Sequence, residues 1–369
     1  MRNGPAPPWQ PLASFEFSVN LSPQQATVQA ARTDIETIIA NDIGLGAKFL
    51  RLSFHDCVGG CDGCVDLENP ENGGLLEPIE ALQPVVQQHG GGIMSRADVW
   101  VLAALTACDV LQGPERIDYP LRFVGRRDCE VANNRCFDEE GHEVPCTEDR
   151  GPHRHIPPAD ITTRDLFAFF DEEFNMSTKE TVALMGAHTI GVANRETSGF
   201  DGPNGWLLNN ELFDNEYYAE LVGGTSINDP LDVLINTAPG WQRNLERNGD
   251  LPDQPNRFIW TGFPGGTKII MLNSDIAIVR DLNEENMVME DGRSQIRGTV
   301  LCDFVGPSRC PHAAMSFQFA AEYTFDNLLW LRDFRDVMDK MTTKGYDADM
   351  TCPLFDVCPM SQQVDEGTI

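Results

Sequence analysis

Two histidines sit in mostly apolar stretches far apart in this chain, and their neighbours differ in a way that matters for chemistry. The first belongs to Arg51-Leu52-Ser53-Phe54-His55-Asp56-Cys57. On a helix, Arg51 and His55 stand at i and i+4, one turn apart, and reach into the same space. An imidazole beside a fixed cation can move a proton while the cation stabilises the negative charge that develops. The second belongs to Ala183-Leu184-Met185-Gly186-Ala187-His188-Thr189-Ile190-Gly191, where His188 has no charged neighbour. A neutral ring of that kind suits ligation of a metal or a haem iron.

The segments around them are mainly helical in pattern. Val28, Ala31, Ile35, Ile38 and Ile39 recur at helical spacing, and the run ends between Asn41 and Gly46. Further helices are expected over 75–88 and 95–111, the latter opening on Ser95 with Asp98 three residues on. Residues 112–160 are rich in Pro, Gly and Cys and read as a long irregular connection. A helix follows through Phe170, and a capped one runs from Ser177 into His188. Helix returns over 217–221, whereas 225–270 carries short, mixed signals that favour no single element. The stretch from Phe319 to Met341 is expected as one amphipathic helix. Strand-like alternation is scarce, so the fold class is all-α.

With 369 residues, 41% of them hydrophobic, the chain can bury a large core. Lys and Arg number 27 against 57 Asp and Glu, a formal net charge of −30. Such a surface repels phosphate backbones and anionic membranes, which argues against nucleic acid and membrane partners. No apolar run approaches the roughly 20 residues needed to span a bilayer.

Eleven cysteines are many for a cytosolic enzyme. They cluster as Cys57, Cys61 and Cys64; Cys129, Cys136 and Cys146; Cys302 and Cys310; Cys352 and Cys358, with Cys108 alone in an apolar run. Five disulfides and one buried free thiol are expected, in an oxidising compartment. The rival is a zinc site on the C-x-x-C pair Cys61 and Cys64. Met1-Arg2-Asn3-Gly4-Pro5 lacks the apolar core of a signal peptide, so the expectation is a secreted protein whose signal is not in this sequence.

Taken in this order, the two histidine segments resemble the distal and proximal signatures of the plant, fungal and bacterial haem peroxidase superfamily. The resemblance runs from about Val28 to Tyr346. Thr181 to His188 followed by Ser198-Gly199-Phe200-Asp201-Gly202-Pro203 is similar to the intracellular class of ascorbate and cytochrome c peroxidases. So are Asn72-Gly73-Gly74-Leu75-Leu76-Glu77-Pro78-Ile79 and Phe213-Asp214-Asn215-Glu216-Tyr217-Tyr218. The cysteines resemble those of the secreted plant class.

The resemblance implies a two-domain helical fold, 1–160 distal and 161–369 proximal, with haem b between the halves. It implies hydrogen peroxide as oxidant and one-electron oxidation of donors at the haem edge. By resemblance, His55 is the distal acid–base, Arg51 the distal cation, and Asn72 the acceptor of a hydrogen bond from the distal imidazole. His188 is implied as axial iron ligand and Asp275 as the buried acceptor behind it. Phe54, Ser198, Pro157 and Trp206 are assigned to the haem surroundings, Trp206 through a two-residue insertion; without the gap Asn204 takes its place. Asp56, Gly60 and Asp62 match distal calcium ligands, with Cys64 where the family supplies a serine. Thr189, Asn209 and Asp214 match a proximal cation site.

Departures narrow the activity. Phe54 replaces the distal Trp, which a catalase-peroxidase needs. Thr197 stands where the ascorbate-binding arginine would, and Gly44, Lys48 and Asn194 replace the acidic residues of a manganese site. Small phenolic or aromatic donors are therefore expected. The insertion over 283–316 and the Cys-closed tail lie outside the family pattern. The alternative is a non-catalytic, acidic, extracellular calcium-binding protein that keeps the fold.

Overall fold

The computed structural model describes residues 21–129, 156–159, 161–222, 241–246, 257–282 and 312–346, with short strands at 136–137, 143–144, 287–288, 299–300 and 352–353. Helix α1 (Pro23–Asn41) starts at Ser22, whose hydroxyl accepts from Gln25 N while the Gln25 side chain accepts from Ser22 N. It buries Val28, Ala31, Ile35 and Ile39. Helices α2 (Gly44–Cys57) and α3 (Leu76–His89) follow, then α4 (Arg96–Leu111), capped reciprocally by Ser95 and Asp98. Every residue of α4 from Ala97 to Cys108 is buried, so this helix is the axis on which α1, α2 and α3 pack.

The second group comprises α5 (Thr163–Phe174), α6 (Thr178–Met185), α7 (Arg195–Ser198), α8 (Glu216–Val222), α9 (Asn273–Ala277), α10 (Phe317–Phe325) and α11 (Asn327–Thr342). One hydrophobic core runs through both groups, from Val28 to Met341. A buried ion pair helps to join them. Arg126 Nη1 donates to Asp98 Oδ1 at 2.7 Å, and its Nε donates to Thr342 O at 2.7 Å at the end of α11. Arg126 Nη1 also donates to Phe123 O, and Asp98 Oδ2 accepts from Ser95 N and Gly125 N; these bonds offset the desolvation of the pair.

Two expectations need correction. The span 319–341 is two helices, because Asp326 leaves helical geometry (φ −135°, ψ 89°) and its carboxylate accepts from Leu329 N at 2.8 Å to start α11. Within 225–270, Gln242–Glu246, Arg257–Gly262 and Ile269–Met271 form a three-stranded antiparallel sheet. A small cluster of Ala193, Phe200, Ile259 and Ile270 docks the loop after His188 onto that sheet. In the insertion, Met287–Val288 pairs with Thr299–Val300. In the tail, Cys352–Pro353 pairs with Phe123–Val124. Cys146, Cys302, Cys310 and Cys358 lie outside the described residues.

Candidate active site

His55 occupies the last turn of α2, and a single 3-10 turn, Pro70–Asn72, sets the state of both its ring and Arg51. Asn72 Nδ2 donates to Asp66 O at 2.8 Å, a partner that can only accept. The amide is thereby oriented, so its Oδ1 is the atom facing His55 Nδ1 at 2.7 Å. Nδ1 must carry the proton, and Nε2 is left with a free lone pair. Arg51 Nη1 and Nη2 donate to Gly73 O and Glu71 O, each at 2.8 Å, from the same turn.

Burial, then the adjacent Arg51 charge, push the His55 imidazole down to about 3, against the opposing effect of its bond to Asn72. His55 is thus a neutral base throughout the ordinary pH range. Burial lowers Arg51 to about 10, so it stays cationic there. A neutral base and a permanent cation one turn apart form the pairing expected from their spacing.

His188 sits in the 3-10 turn Gly186–Thr189 that continues α6. Gly186 is required there because a Cβ would stand 2.5 Å from both Trp330 Nε1 and Tyr218 Oη. His188 Nδ1 donates to Asp275 Oδ1 at 2.6 Å. Asp275 is wholly buried on α9 and also accepts from Tyr217 Oη at 2.7 Å, Trp206 Nε1 at 2.9 Å and its own helix at Leu272 N, 2.6 Å. Donation to the carboxylate makes the imidazole a more basic ligand, and the other three donors fix the carboxylate in place. The Trp206 ring stacks against His188 at 4.4 Å between centroids. Asn204 instead donates from Nδ2 to Lys268 O at 2.9 Å.

The two halves of the site meet through the chain that follows His188. Gly191 approaches Ala47 of α2, and Gly73 lies so close to Thr197 that a Cβ there would stand 2.2 Å from its carbonyl oxygen. His188, Arg51, Phe54, Pro157, Ser198 and Trp206 all keep partial solvent access, the His188 side chain 31% of it. An imidazole pinned through Nδ1 but open at Nε2 fits a haem iron, so the donor set suits that cofactor. Phe54 packs edge-on to His55 at 5.8 Å and against Phe170 and Phe174. The Ser198 hydroxyl donates to Asn194 O at 2.8 Å within its own turn.

The residues expected to hold cations are brought together only in part. Asp56 is buried; Oδ1 accepts from Cys64 N at 2.9 Å, whereas Oδ2 has no partner. Burial and the neighbouring Asp62 raise its pKa well above the carboxylate range. Asp62 Oδ1 also accepts from Cys64 N, at 3.2 Å. Gly60, at φ 137°, closes the loop by donating to Cys57 O. Cys64 is no metal ligand, because its sulfur is bonded to Cys129 and carries no thiolate charge. Cys61 is bonded to Cys57, which splits the C-x-x-C pair and removes the zinc alternative. Cys108 is a buried free thiol, as expected. On the other side, Thr189 and Asp214 are hydrogen-bonded, and burial raises Asp214 above its usual value. Asn209 is exposed and is not brought into that pair.

Tyr217 is the functional residue that sequence reasoning passed over. It stood in a quoted motif, but nothing local says that its hydroxyl reaches Asp275, 58 positions away.

Comparisons with known proteins agree with this geometry. A family model described as Peroxidase matches residues 31–292. The chain is 26% identical over 347 residues to a protein of Cryptococcus neoformans var. neoformans serotype D named as a heme-binding peroxidase, covering 89% of this chain and 82% of that one. It is 30% identical over 234 residues to L-ascorbate peroxidase 3 of Arabidopsis thaliana, covering 59% and 72%. It is 29% identical over 239 residues to a cytosolic L-ascorbate peroxidase 2 of Oryza sativa subsp. japonica, covering 60% and 84%.

Proposed function

Given that this chain belongs to the haem peroxidase superfamily and is a haem-dependent peroxidase, we propose that it uses hydrogen peroxide to oxidise small phenolic or aromatic donors in one-electron steps. The observation that carries the reading is the pair of imidazoles with opposite fixed tasks, each held at Nδ1 and each offering Nε2. Bound haem supplies the iron that takes peroxide and the oxidising equivalents that pass to donors. His55 Nε2 accepts the proton from one peroxide oxygen and returns it to the other, which leaves as water. Arg51 stabilises the charge that builds as the O–O bond parts. Asn72 keeps the His55 Nε2 unprotonated between turnovers, and His188, oriented by Asp275, is the residue that would hold the haem iron.

The choice of donor rests on Thr197. Its hydroxyl cannot make the bidentate cationic contact that an arginine offers an anionic donor, and the net charge of −30 repels anions generally. The named ascorbate peroxidases among the relatives make the comparison with ascorbate the direct test of this part. We extend the proposal to a cation in the distal loop, supported by the unpartnered Asp56 Oδ2 beside Asp62, and to another at Thr189 and Asp214. The two disulfides among the described residues support an oxidising, extracellular setting. No helix among the described residues is long and apolar enough to cross a membrane.

The decisive experiment compares His188→Ala with His55→Ala after reconstitution with haem. His188→Ala is expected to lose stable haem binding by absorption. His55→Ala is expected to keep haem and lose ~10²–10⁴-fold in the peroxide step. Equal losses with haem retained in both would overturn the assignment of the two roles.

A further inference from the structure

A run of tyrosines leads away from the proximal histidine, and its members differ in what their hydroxyls touch. Tyr217 stands edge-on to His188, with ring centroids 6.3 Å apart, and donates to Asp275. Its ring lies 5.1 Å from that of Tyr218, which lies 5.1 Å from that of Tyr323 on α10. Asn215 Nδ2 donates to Tyr323 O at 2.7 Å and so fixes α10 against the start of α8. Tyr323 Oη donates to Asp333 Oδ2 at 2.7 Å. The Asp333 side chain is 25% exposed and pairs with Lys179 Nζ at 2.8 Å, so the run ends on a carboxylate in contact with water.

We propose that Tyr323 is a second oxidation site, reached from the haem pocket through Tyr217 and Tyr218, at which Asp333 takes the phenolic proton and a bulky aromatic reductant is oxidised. The proposal rests on the peroxidase reading of the site. A phenol gives up an electron readily only if its proton can leave at the same time, and the acceptors along the run decide where that can happen. Tyr218 donates to Val182 O and Ala183 O, carbonyls that cannot take a proton. The inner branch ends the same way, with Trp330 Nε1 on Ala183 O and Tyr119 Oη on Leu331 O. Tyr217 can release its proton only to Asp275, which already serves His188 and Trp206. Tyr323 alone among these rings faces a carboxylate open to solvent.

The step balances without another reagent. Peroxide reduction leaves the oxidising equivalent; one electron moves inward from Tyr323 and its O–H proton moves to Asp333 Oδ2, giving a neutral tyrosyl radical. A donor phenol then gives one electron to Tyr323 while Asp333 returns the proton to its hydroxyl; the donor's own proton goes to water and the donor departs as a neutral radical. Tyr323 is itself fully buried, so the donor does not touch it: the donor docks over α10 beside Phe325, which is 56% exposed, and its electron crosses to the Tyr323 ring without the donor entering the haem pocket. Burial keeps all three phenols protonated, with pKa values above the ordinary one, so proton loss accompanies oxidation rather than preceding it.

Haem-loaded protein is mixed with peroxide and a nitroso spin trap, with no donor present, and the adduct is mapped by peptide mass spectrometry; electron paramagnetic resonance is recorded on frozen samples. The proposal expects a tyrosyl signal and an adduct on the peptide carrying Tyr323. Both should be lost in Tyr323→Phe, which keeps the ring, and in Asp333→Asn, which keeps the shape but removes the proton acceptor. An adduct confined to Trp206 or Tyr217, or a signal unchanged in both variants, overturns the second site while leaving the peroxidase reading intact. The absorption change on adding peroxide is followed in the same samples; its absence in the unsubstituted protein would overturn that reading, and this inference with it.

Discussion

Replacing Asn72 by Ala removes the one side chain that tells the distal imidazole where its proton belongs. Two bonds disappear, the 2.7 Å contact to His55 Nδ1 and the 2.8 Å bond to Asp66 O, and a buried N–H is left without an acceptor. An unsatisfied buried donor costs about 1–3 kcal/mol. His55 can recover that only by moving its proton to Nε2, the atom that must be bare to accept one from peroxide. At about 1.4 kcal/mol per factor of ten, the population with Nε2 free falls by roughly 5- to 150-fold, and the second-order rate with peroxide falls with it. Because the bond to Asn72 raises the His55 pKa, its loss moves the acid limb of the rate further down from about 3. Asn72→Asp should do the reverse, since a carboxylate at Nδ1 favours the imidazolium and carries the acid limb toward neutrality. Stopped-flow absorption of the haem band against peroxide concentration, from pH 4 to 8, separates the two variants. An Ala variant with an unchanged rate, or with an acid limb that enters the range from pH 4 to 8, would refute the tautomer argument.

Acid stability offers a second measurement. The folded protein holds His55 near 3, whereas the unfolded chain binds its proton near 6.5, so stability falls as pH drops from about 6.5 toward 3. The full effect is on the order of 5 kcal/mol, and His55→Leu should flatten that slope in denaturant titrations at pH 7 and pH 4; equal slopes would contradict it. Thr197→Arg should raise the ascorbate rate relative to a guaiacol-type phenol by about tenfold or more at low salt, a single charge-assisted contact being worth ~1.5–3 kcal/mol; an unchanged ratio would show that position 197 does not select the donor. Gly186→Ala forces a methyl group to within 2.5 Å of Trp330 and Tyr218, so a loss of ~1–3 kcal/mol and a displaced His188 are expected in calorimetry and in the haem spectrum.

What the sequence determined by itself was everything set by contacts within a turn or two. Helical spacing put Arg51 and His55 on one face, and Ser95 and Ser177 marked the starts of α4 and α6 because a hydroxyl three residues before a partner amide needs no distant help. The buried thiol of Cys108 followed from an apolar helix around it. The tertiary structure alone decided what those side chains became. Asn72 is an acceptor toward His55 only because Asp66 O occupies its other end, and Asp275 holds His188 only where α6, α8 and α9 converge. Cys64 looked like a metal position until its sulfur met Cys129, 65 residues on. The sheet across 242–271 was hidden because its strands are stabilised by one another rather than by any local periodicity. The break at Asp326 had a local cause, but the apolar stripe continued across it and masked the cap. Distances along the chain fix propensity and register; the identity of each hydrogen-bond partner depends on segments that meet only once the core has closed.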